Sequence, residues 1–435
     1  MIDPIAVRKA TDDSAPSTRV ALGMAANLYS QLVTVVTQLA SLPIFLSRWS
    51  ADQYGQWITL AAVPVYLSLS DVGVSTAAGN LMSMHYARGE IREFQLVFKC
   101  GLLLTLLIAP VAAALIGLSL FLFSFGLTVE QRQVLFLLTV TILIAEGCRI
   151  FDVAYRPFGK YPKVTFLLST ARLIDWVGSI LGLLLFGTLL SVALGWLAAR
   201  VVVTIFMFVL AKQDVPEVEW DVRGTNFRLI KQLARDGFGF LSMTMGSLLT
   251  LQGIVILIGS RLGGTAVAIF SASRTISRLL AQISVLSGKS LSPEISKLYG
   301  MANHLAAEKL SKRMVRIVMS LTILGALALL PLGRSLLTLW SHGKIPFDMP
   351  VFSMLLAAAV TTSYWQIQSV RLTATNRHRV LATWYVITSA LALLGAYLGM
   401  GAFGLDSAAA GTLLADIMMV IGTGYALRRA TQDAA

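Results

Sequence analysis

The stretch KQDVPEVEWDVRGTNFRLIKQLARDG, Lys212 to Gly237, is the longest polar interruption in a 435-residue chain dominated by apolar runs. Hydrophobic residues make up 56% of the sequence and charged residues only 13%, more apolar material than a soluble core of this length needs. On both sides of the interruption the apolar runs reach about 18 residues or more, enough for a helix to cross about 30 Å of hydrocarbon. Six runs precede it, near 20–46, 54–79, 97–124, 132–156, 163–187 and 190–211. Six follow, near 237–259, 264–289, 314–340, 347–373, 379–400 and 404–427. Such long continuous runs exclude a strand barrel, whose spans alternate over about ten residues.

The predicted fold is an all-α integral membrane protein, with about 12 transmembrane helices in two six-helix lobes around a central cavity. Its parts are a cytoplasmic tail (1–19), an N-terminal lobe (20–211), a cytoplasmic central loop (212–236), a C-terminal lobe (237–427) and a second cytoplasmic tail (428–435). In the loop, Phe227, Ile230 and Leu233 recur at helical spacing opposite basic residues, predicting a helix on the membrane surface. The polar first 19 residues have no apolar core followed by a small-residue cleavage site, so no removable signal peptide is expected. Because six is even, the two halves share one orientation and any repeat is parallel. A weak repeat is visible: "LSRWSADQYGQW" leads through a span to "MHYARGE", and "IGSRLGGTAVAIF" through a span to "SKLYGMA".

Basic residues set the orientation. Of 35 Lys and Arg, 26 fall in the tails and even-numbered connections, and five in the odd-numbered ones (Arg48, Arg132, Arg261, Arg334, Lys344). Positive-inside bias therefore places both termini and the even loops in the cytoplasm. The net charge of +13 is matched by anionic lipid headgroups on that face and requires no nucleic acid. Cys100 and Cys148 both fall near the inner side, which argues against a disulfide.

Four arginines lie well inside spans: Arg172, Arg200, Arg274 and Arg278. Arg274 and Arg278 sit about 15 and 21 Å into their span and share one helix face. Each costs roughly 2.5–3.5 kcal/mol at such depth, so neither should face lipid. With Ser271 and Gln282 they form a polar stripe. Further stripes are Asn27, Gln31, Thr34 and Gln38 in the first span, Ser68, Asp71 and Ser75 in the second, and Tyr364, Gln368, Arg371 and Thr375 in the tenth. Interhelical hydrogen bonding explains one such stripe; several, two bearing fixed cations, fit a hydrated cavity. The competing reading is that the arginines pair with carboxylates and only hold helices together. Arg172 and Asp175, three apart, are expected to form a local ion pair, and Arg200 has no sequence-local partner. Glu146, Arg149, Asp152 and Arg156 read as a structural salt-bridge ladder. Asp71 and Asp416 are candidates for coupling a proton or cation. Pro64 and Pro110 are expected to kink their spans.

Enzyme signatures are absent from the sequence. His85, His304, His342 and His378 lie in expected loops with no second ligand at metal-binding spacing, and no phosphate-binding Gly-rich loop with its lysine occurs. Neither a catalytic centre nor a cofactor or metal site is expected.

The stretch "FLSRWSADQYGQWITLAAVPVYLSLSDVGVSTAAGNLMSMHYARGE" (Phe45 to Glu90) resembles the early region of the polysaccharide-transporter, or O-antigen flippase (Wzx-like), family. The likeness rests on Tyr54-Gly55-Gln56-Trp57 and Asp71-Val72-Gly73, and on "LSPEISKLYG" (Leu291 to Gly300) as a Pro-containing exit from the eighth span. Departures are Ala268-Ile269-Phe270 in place of a Gly-X-Tyr pattern, and no extra pair of C-terminal spans such as related lipid II flippases have. The resemblance implies the multidrug/oligosaccharidyl-lipid/polysaccharide (MOP) export fold in a bacterial inner membrane. The implied substrate is an undecaprenyl-pyrophosphate-linked oligosaccharide, moved from inner to outer leaflet, with a polysaccharide polymerase and a chain-length regulator as partners. Substrate-binding candidates are then Arg274, Arg278, Arg371, Arg200, Arg172, Gln31 and Gln282. Guanidiniums suit pyrophosphate because they stay charged and donate bidentately. A multidrug/cation antiporter of the same superfamily and a non-transport structural partner of an envelope complex are the competing functions.

Reporter fusions after Arg235 and after Arg429 should both report the cytoplasm. A periplasmic signal at either would overturn the orientation.

Overall fold

A computed structural model describes residues 16–238, 241–301, 303–375 and 379–432, less the side chains of 16–20, 70–74, 76, 236–238, 241–242, 379 and 430–432. Helix α1 (Pro16–Arg48) is followed by α2 (Ala51–Ala62), a 3-10 turn at Pro64–Ser68 and α3 (Leu69–Ala87). Next come α4 (Ile91–Leu122), α5 (Val129–Gly147), the short α6 (Arg149–Tyr155), α7 (Tyr161–Phe186) and α8 (Leu189–Asp214). The central loop carries α9 (Phe227–Phe238). Beyond it lie α10 (Leu241–Leu248), a π-helical turn (Leu249–Gly253), α11 (Ile254–Leu262) and α12 (Gly264–Gly300). The chain continues with α13 (His304–Trp340), α14 (Met349–Ala374), α15 (Arg379–Phe403) and α16 (Leu405–Gln432).

Helix dominates because hydrocarbon offers backbone groups no water, so each segment must satisfy its own. Where a helix begins, side chains take up the first free N–H groups: Thr128 with Gln131, and Thr188 with Ser191, form reciprocal caps. Among the described residues, nine helical segments are long and apolar enough to cross a membrane. The three expected spans outside that set, 54–79, 264–289 and 347–373, are helical as well, as α2 with α3, α12 and α14. All three carry polar stripes, and in α12 and α14 that polarity lowers the hydropathy. The protein is a multi-pass helical membrane protein. Pro64 interrupts its span by opening the 3-10 turn, whereas Pro110 lies inside an uninterrupted α4.

The chain forms two compact units. The first comprises Met1–Arg48 and Val63–Leu241, the second Trp49–Ala62 and Ser242–Ala435. Residues 49–62, expected in the N-terminal lobe, thus belong with the second unit. The reason is close backbone packing of α2 on α12 and α11. A Cβ on Gly55 would lie 1.7 Å from the Gly264 carbonyl oxygen, and one on Gly259 would lie 2.4 Å from Thr59 Oγ1. Small residues permit such approach where dispersion, not water exclusion, joins helices. Ala62 and Ile58 then enter an apolar cluster with Ile254, Ile258, Val267 and Phe270.

In the first unit, α7 packs on α8 and α1, and an aromatic core gathers Phe94, Phe98, Phe151, Tyr155 and Phe158. The salt-bridge ladder forms in two rungs, Arg149 to Glu146 at 2.5 Å and Arg156 to Asp152. The expected surface helix is α9; Phe227 of its apolar stripe stays 78% exposed, while the rest of the stripe turns onto the protein. Leu233 is fully buried, and Leu229 and Ile230 pack on the same core. The loop before it is clasped too: Trp220 meets Phe98 edge-on, and Lys99 pairs with Glu219 (2.5 Å) and Asp221 (3.0 Å). The Arg223 backbone N–H and then the Lys99 ammonium hold the Asp221 carboxyl below the usual carboxylate range.

Gly55→Leu should weaken the second unit by about 1–3 kcal/mol, the usual cost of overpacking. Gly23→Ala, where the new Cβ meets no heavy atom within 4 Å, should be neutral. Thermal unfolding of the two purified variants measures the contrast; equal midpoints would refute the packing argument.

Candidate functional site

Helix α12 starts at Gly264, and its third and fourth turns bring Arg274 and Arg278 to a polar cavity inside the second unit. The cavity measures about 60 Å³, room for a few waters or one small charged group and far too little for an oligosaccharide. Its walls come from the π turn (Thr250, Leu251), α14 (Thr362, Trp365, Gln366), Tyr385 of α15, and Thr412 and Asp416 of α16.

Both arginines are half-buried. Arg274 Nη1 donates to the Leu251 carbonyl oxygen at 2.8 Å, and its guanidinium lies 5.2 Å from the centroid of the Phe270 ring. A π turn departs from the i→i+4 ladder, and Leu251 lies within it. Arg278 makes no ion pair within 4.0 Å among the described residues, yet it acts electrostatically on both Asp416 and Tyr385. Asp416 is 7% exposed and accepts a hydrogen bond from Trp365 Nε1–H at 2.8 Å, with Thr362 against it as well. The Trp365 and Tyr385 rings pack at 5.3 Å. Two fixed cations thus share a small, partly open space with one carboxylate. Such a site can hold an anionic group by charge-assisted hydrogen bonds, and its carboxylate can take up a proton or cation.

Of the residues singled out in the sequence, the cavity unites Arg274, Arg278 and Asp416. Gln282 lies on α12 outside the cavity wall. Arg371, near the end of α14, also lies outside it and acts electrostatically on Glu308 of α13. The α14 stripe of Tyr364, Gln368 and Arg371 is not the cavity face. Thr362, Trp365 and Gln366 are, and two residues' displacement along a helix is roughly the opposite side. Gln368 instead hydrogen-bonds Tyr364 Oη (3.3 Å), and Gln366 Oε1 accepts from Ser284 Oγ (2.9 Å). Helical spacing alone could have found the Thr362–Gln366 face. Tyr385 and Trp365 gave no signal, because aromatics in an apolar span read as core.

The remaining candidates belong to the first unit. The expected Arg172–Asp175 pair does not form. Asp175 pairs instead with Arg200, 25 residues on, where the closely packed α7 and α8 bring both side chains together at 6% and 5% exposure. Arg172 donates to Ser30 Oγ (2.7 Å) and Ser169 Oγ (3.2 Å), linking α7 to α1. Gln31 is half-buried on α1. Asp71 lies on α3, and its side chain is outside the described residues.

Asp175→Asn should leave Arg200 buried and uncompensated, lowering stability by about 3–5 kcal/mol and membrane abundance with it. The double variant Asp175→Leu, Arg200→Met should recover abundance. Immunoblotting of membranes tests both, and failure of the double variant to recover would assign the pair more than structural balance.

No family model matches the chain, and no curated protein matches it. Solved structures share its fold over almost its whole length. An inward-facing multidrug resistance MATE family transporter of the MOP superfamily matches with a TM-score of 0.69 at 15% identity, covering 92% of this chain and 98% of that one. The lipid II flippase MurJ, in an inward closed conformation, matches with a TM-score of 0.67 at 14% identity, covering 94% and 87%. A MOP superfamily transporter from Pyrococcus furiosus, described as having a binding pocket of reverse polarity, matches at 0.55 and 15%, covering 98% and 96%. At such identities the likeness is one of fold, and the fold is that of MOP superfamily transporters.

Proposed function

We propose that the protein is a flippase that carries an undecaprenyl-pyrophosphate-linked oligosaccharide from the inner to the outer leaflet of the bacterial inner membrane, for assembly of a surface polysaccharide. The observation that carries this reading is the pair of guanidiniums, Arg274 and Arg278, held in one small polar cavity of an otherwise apolar helical unit. A space of about 60 Å³ suits the charged linkage and not the sugar or the tail. Pyrophosphate oxygens can satisfy guanidinium donors that lipid cannot. The MurJ structure, a lipid II flippase, supports transport of a lipid-linked sugar on this fold. Exposed Arg172, with Gln31 on the neighbouring α1, Gln282 and Arg371 would serve the substrate elsewhere on its path, while Arg200, paired with Asp175, would hold α7 to α8. An inside-negative potential favours outward movement of an anion by about 2.3 kcal/mol per charge per 100 mV, which supplies driving force without a coupling ion.

A second reading, multidrug or cation antiport, is favoured by one observation: Asp416 shares the cavity, and a carboxylate there suits a proton or a cationic drug. The MATE structures fit this reading equally.

Loss of a charge-assisted hydrogen bond removes about 1.5–3 kcal/mol, so Arg274→Ala and Arg278→Ala should each cut export of the lipid-linked sugar by roughly 10- to 100-fold. Abundance should stay unchanged. Accumulation of lipid-linked oligosaccharide on the cytoplasmic side is the measurement. Normal export by both variants, or a loss of drug resistance in Asp416→Asn without any sugar accumulation, would transfer the assignment to antiport.

A further inference from the structure

The second unit holds another cavity, on the face of α16 opposite Asp416, and its chemistry is the reverse of the first. About 460 Å³ in volume, it is lined by Leu391, Gly395 and Gly399 of α15 and by Asp406, Ala410 and Leu414 of α16, among others. The lining extends from Leu391 to Phe403 on one helix and from Asp406 to Met418 on the other. Twelve positions on each helix span about 18 Å. Leu391 and Leu414 are 50% and 55% exposed, and both helices are among the segments apolar enough to cross a membrane. The groove therefore opens toward hydrocarbon.

Helix packing accounts for part of its shape. A Cβ on Gly399 would lie 3.0 Å from Ser407 Cβ, and one on Gly411 would lie 3.0 Å from the Ala392 carbonyl oxygen. Gly395 is different. A Cβ there meets no heavy atom within 4 Å, so no neighbour in the unit requires glycine at that position.

We infer that the groove between α15 and α16 binds one hydrocarbon chain of an amine-bearing bilayer phospholipid, with Asp406 receiving the headgroup ammonium. The dimensions suit a slender occupant: about 460 Å³ spread over about 18 Å of length accommodates a single alkyl chain lying along the groove. The charge selects the lipid. Asp406, half-buried in the first turn of α16 at the helix boundary, is the one charged residue of the lining. A carboxylate attracts an ammonium and repels the pyrophosphate of a polyprenyl carrier. Its place near a helix N-terminus suits the macrodipole as well, but that does not explain the open groove beside it. This binding is independent of what the protein transports.

The test is native mass spectrometry of the full chain, purified and then reconstituted with phosphatidylethanolamine, phosphatidylglycerol or undecaprenyl phosphate in turn. Wild type should retain phosphatidylethanolamine preferentially. Gly395→Leu, whose side chain enters open space, should lose that adduct roughly fivefold, and Ala410→Leu should do the same if Gly395→Leu is poorly expressed. Asp406→Asn should keep a lipid adduct but no longer prefer phosphatidylethanolamine over phosphatidylglycerol. Equal adducts in wild type and both leucine variants would overturn the proposal. So would displacement by undecaprenyl phosphate at equal concentration, or a dimer that Gly395→Leu dissociates.

Discussion

A guanidinium deep in hydrocarbon costs about 2.5–3.5 kcal/mol even on the most lenient scale, and α12 carries two of them one turn apart. That cost determines the company the helix keeps. It packs against α14, α13, α2 and α11, so its polar face is turned to protein and not to lipid. The π turn brings the Leu251 carbonyl to Arg274, and the small cavity gives Arg278 a partly polar surrounding. Even the displaced position of α2 fits: residues without side chains, Gly55 and Gly264, let it close against the N-terminal end of α12.

The first unit meets the same cost by another route. Arg200 is sealed with Asp175 between α7 and α8, and only the weaker demands of Arg172 are left for serine hydroxyls. Pairing two buried charges roughly balances their desolvation and leaves little to offer a ligand. The two units therefore differ in kind. One neutralises its deep cation internally, while the other holds excess positive charge beside a space that something can enter.

The helical type of the apolar segments was legible because the bilayer permits little else at this length. The same hydropathy that reveals α4 or α13 hides the partners of the polar helices. Arg274, Arg278 and Asp416 stood out as charges, but the pairing of Asp175 with Arg200 did not, because it depends on how α7 and α8 cross. The choice between Arg371 and Gln366 as the cavity residue on α14 turns on helix rotation, and both faces of α14 are polar enough to support either. Trp365 and Tyr385 were invisible for a different reason: their polar atoms are a minor part of large apolar rings. The central loop looked like a membrane-surface helix, since an apolar stripe does not say whether it meets lipid or protein.

The packing of α2 on α11 and α12 has a consequence for biosynthesis. Gly55 and Gly264 are separated by about 200 residues, and at roughly 5–20 residues per second the ribosome needs about 10–40 s to make them. During that interval the exposed backbone of α2 has no native partner, while the spans that follow it are already entering the bilayer. The second unit thus begins with a segment made long before its first partner. A slow stretch of translation between these points would lengthen its wait, and an insertase that shelters polar spans would find this segment its longest-held client.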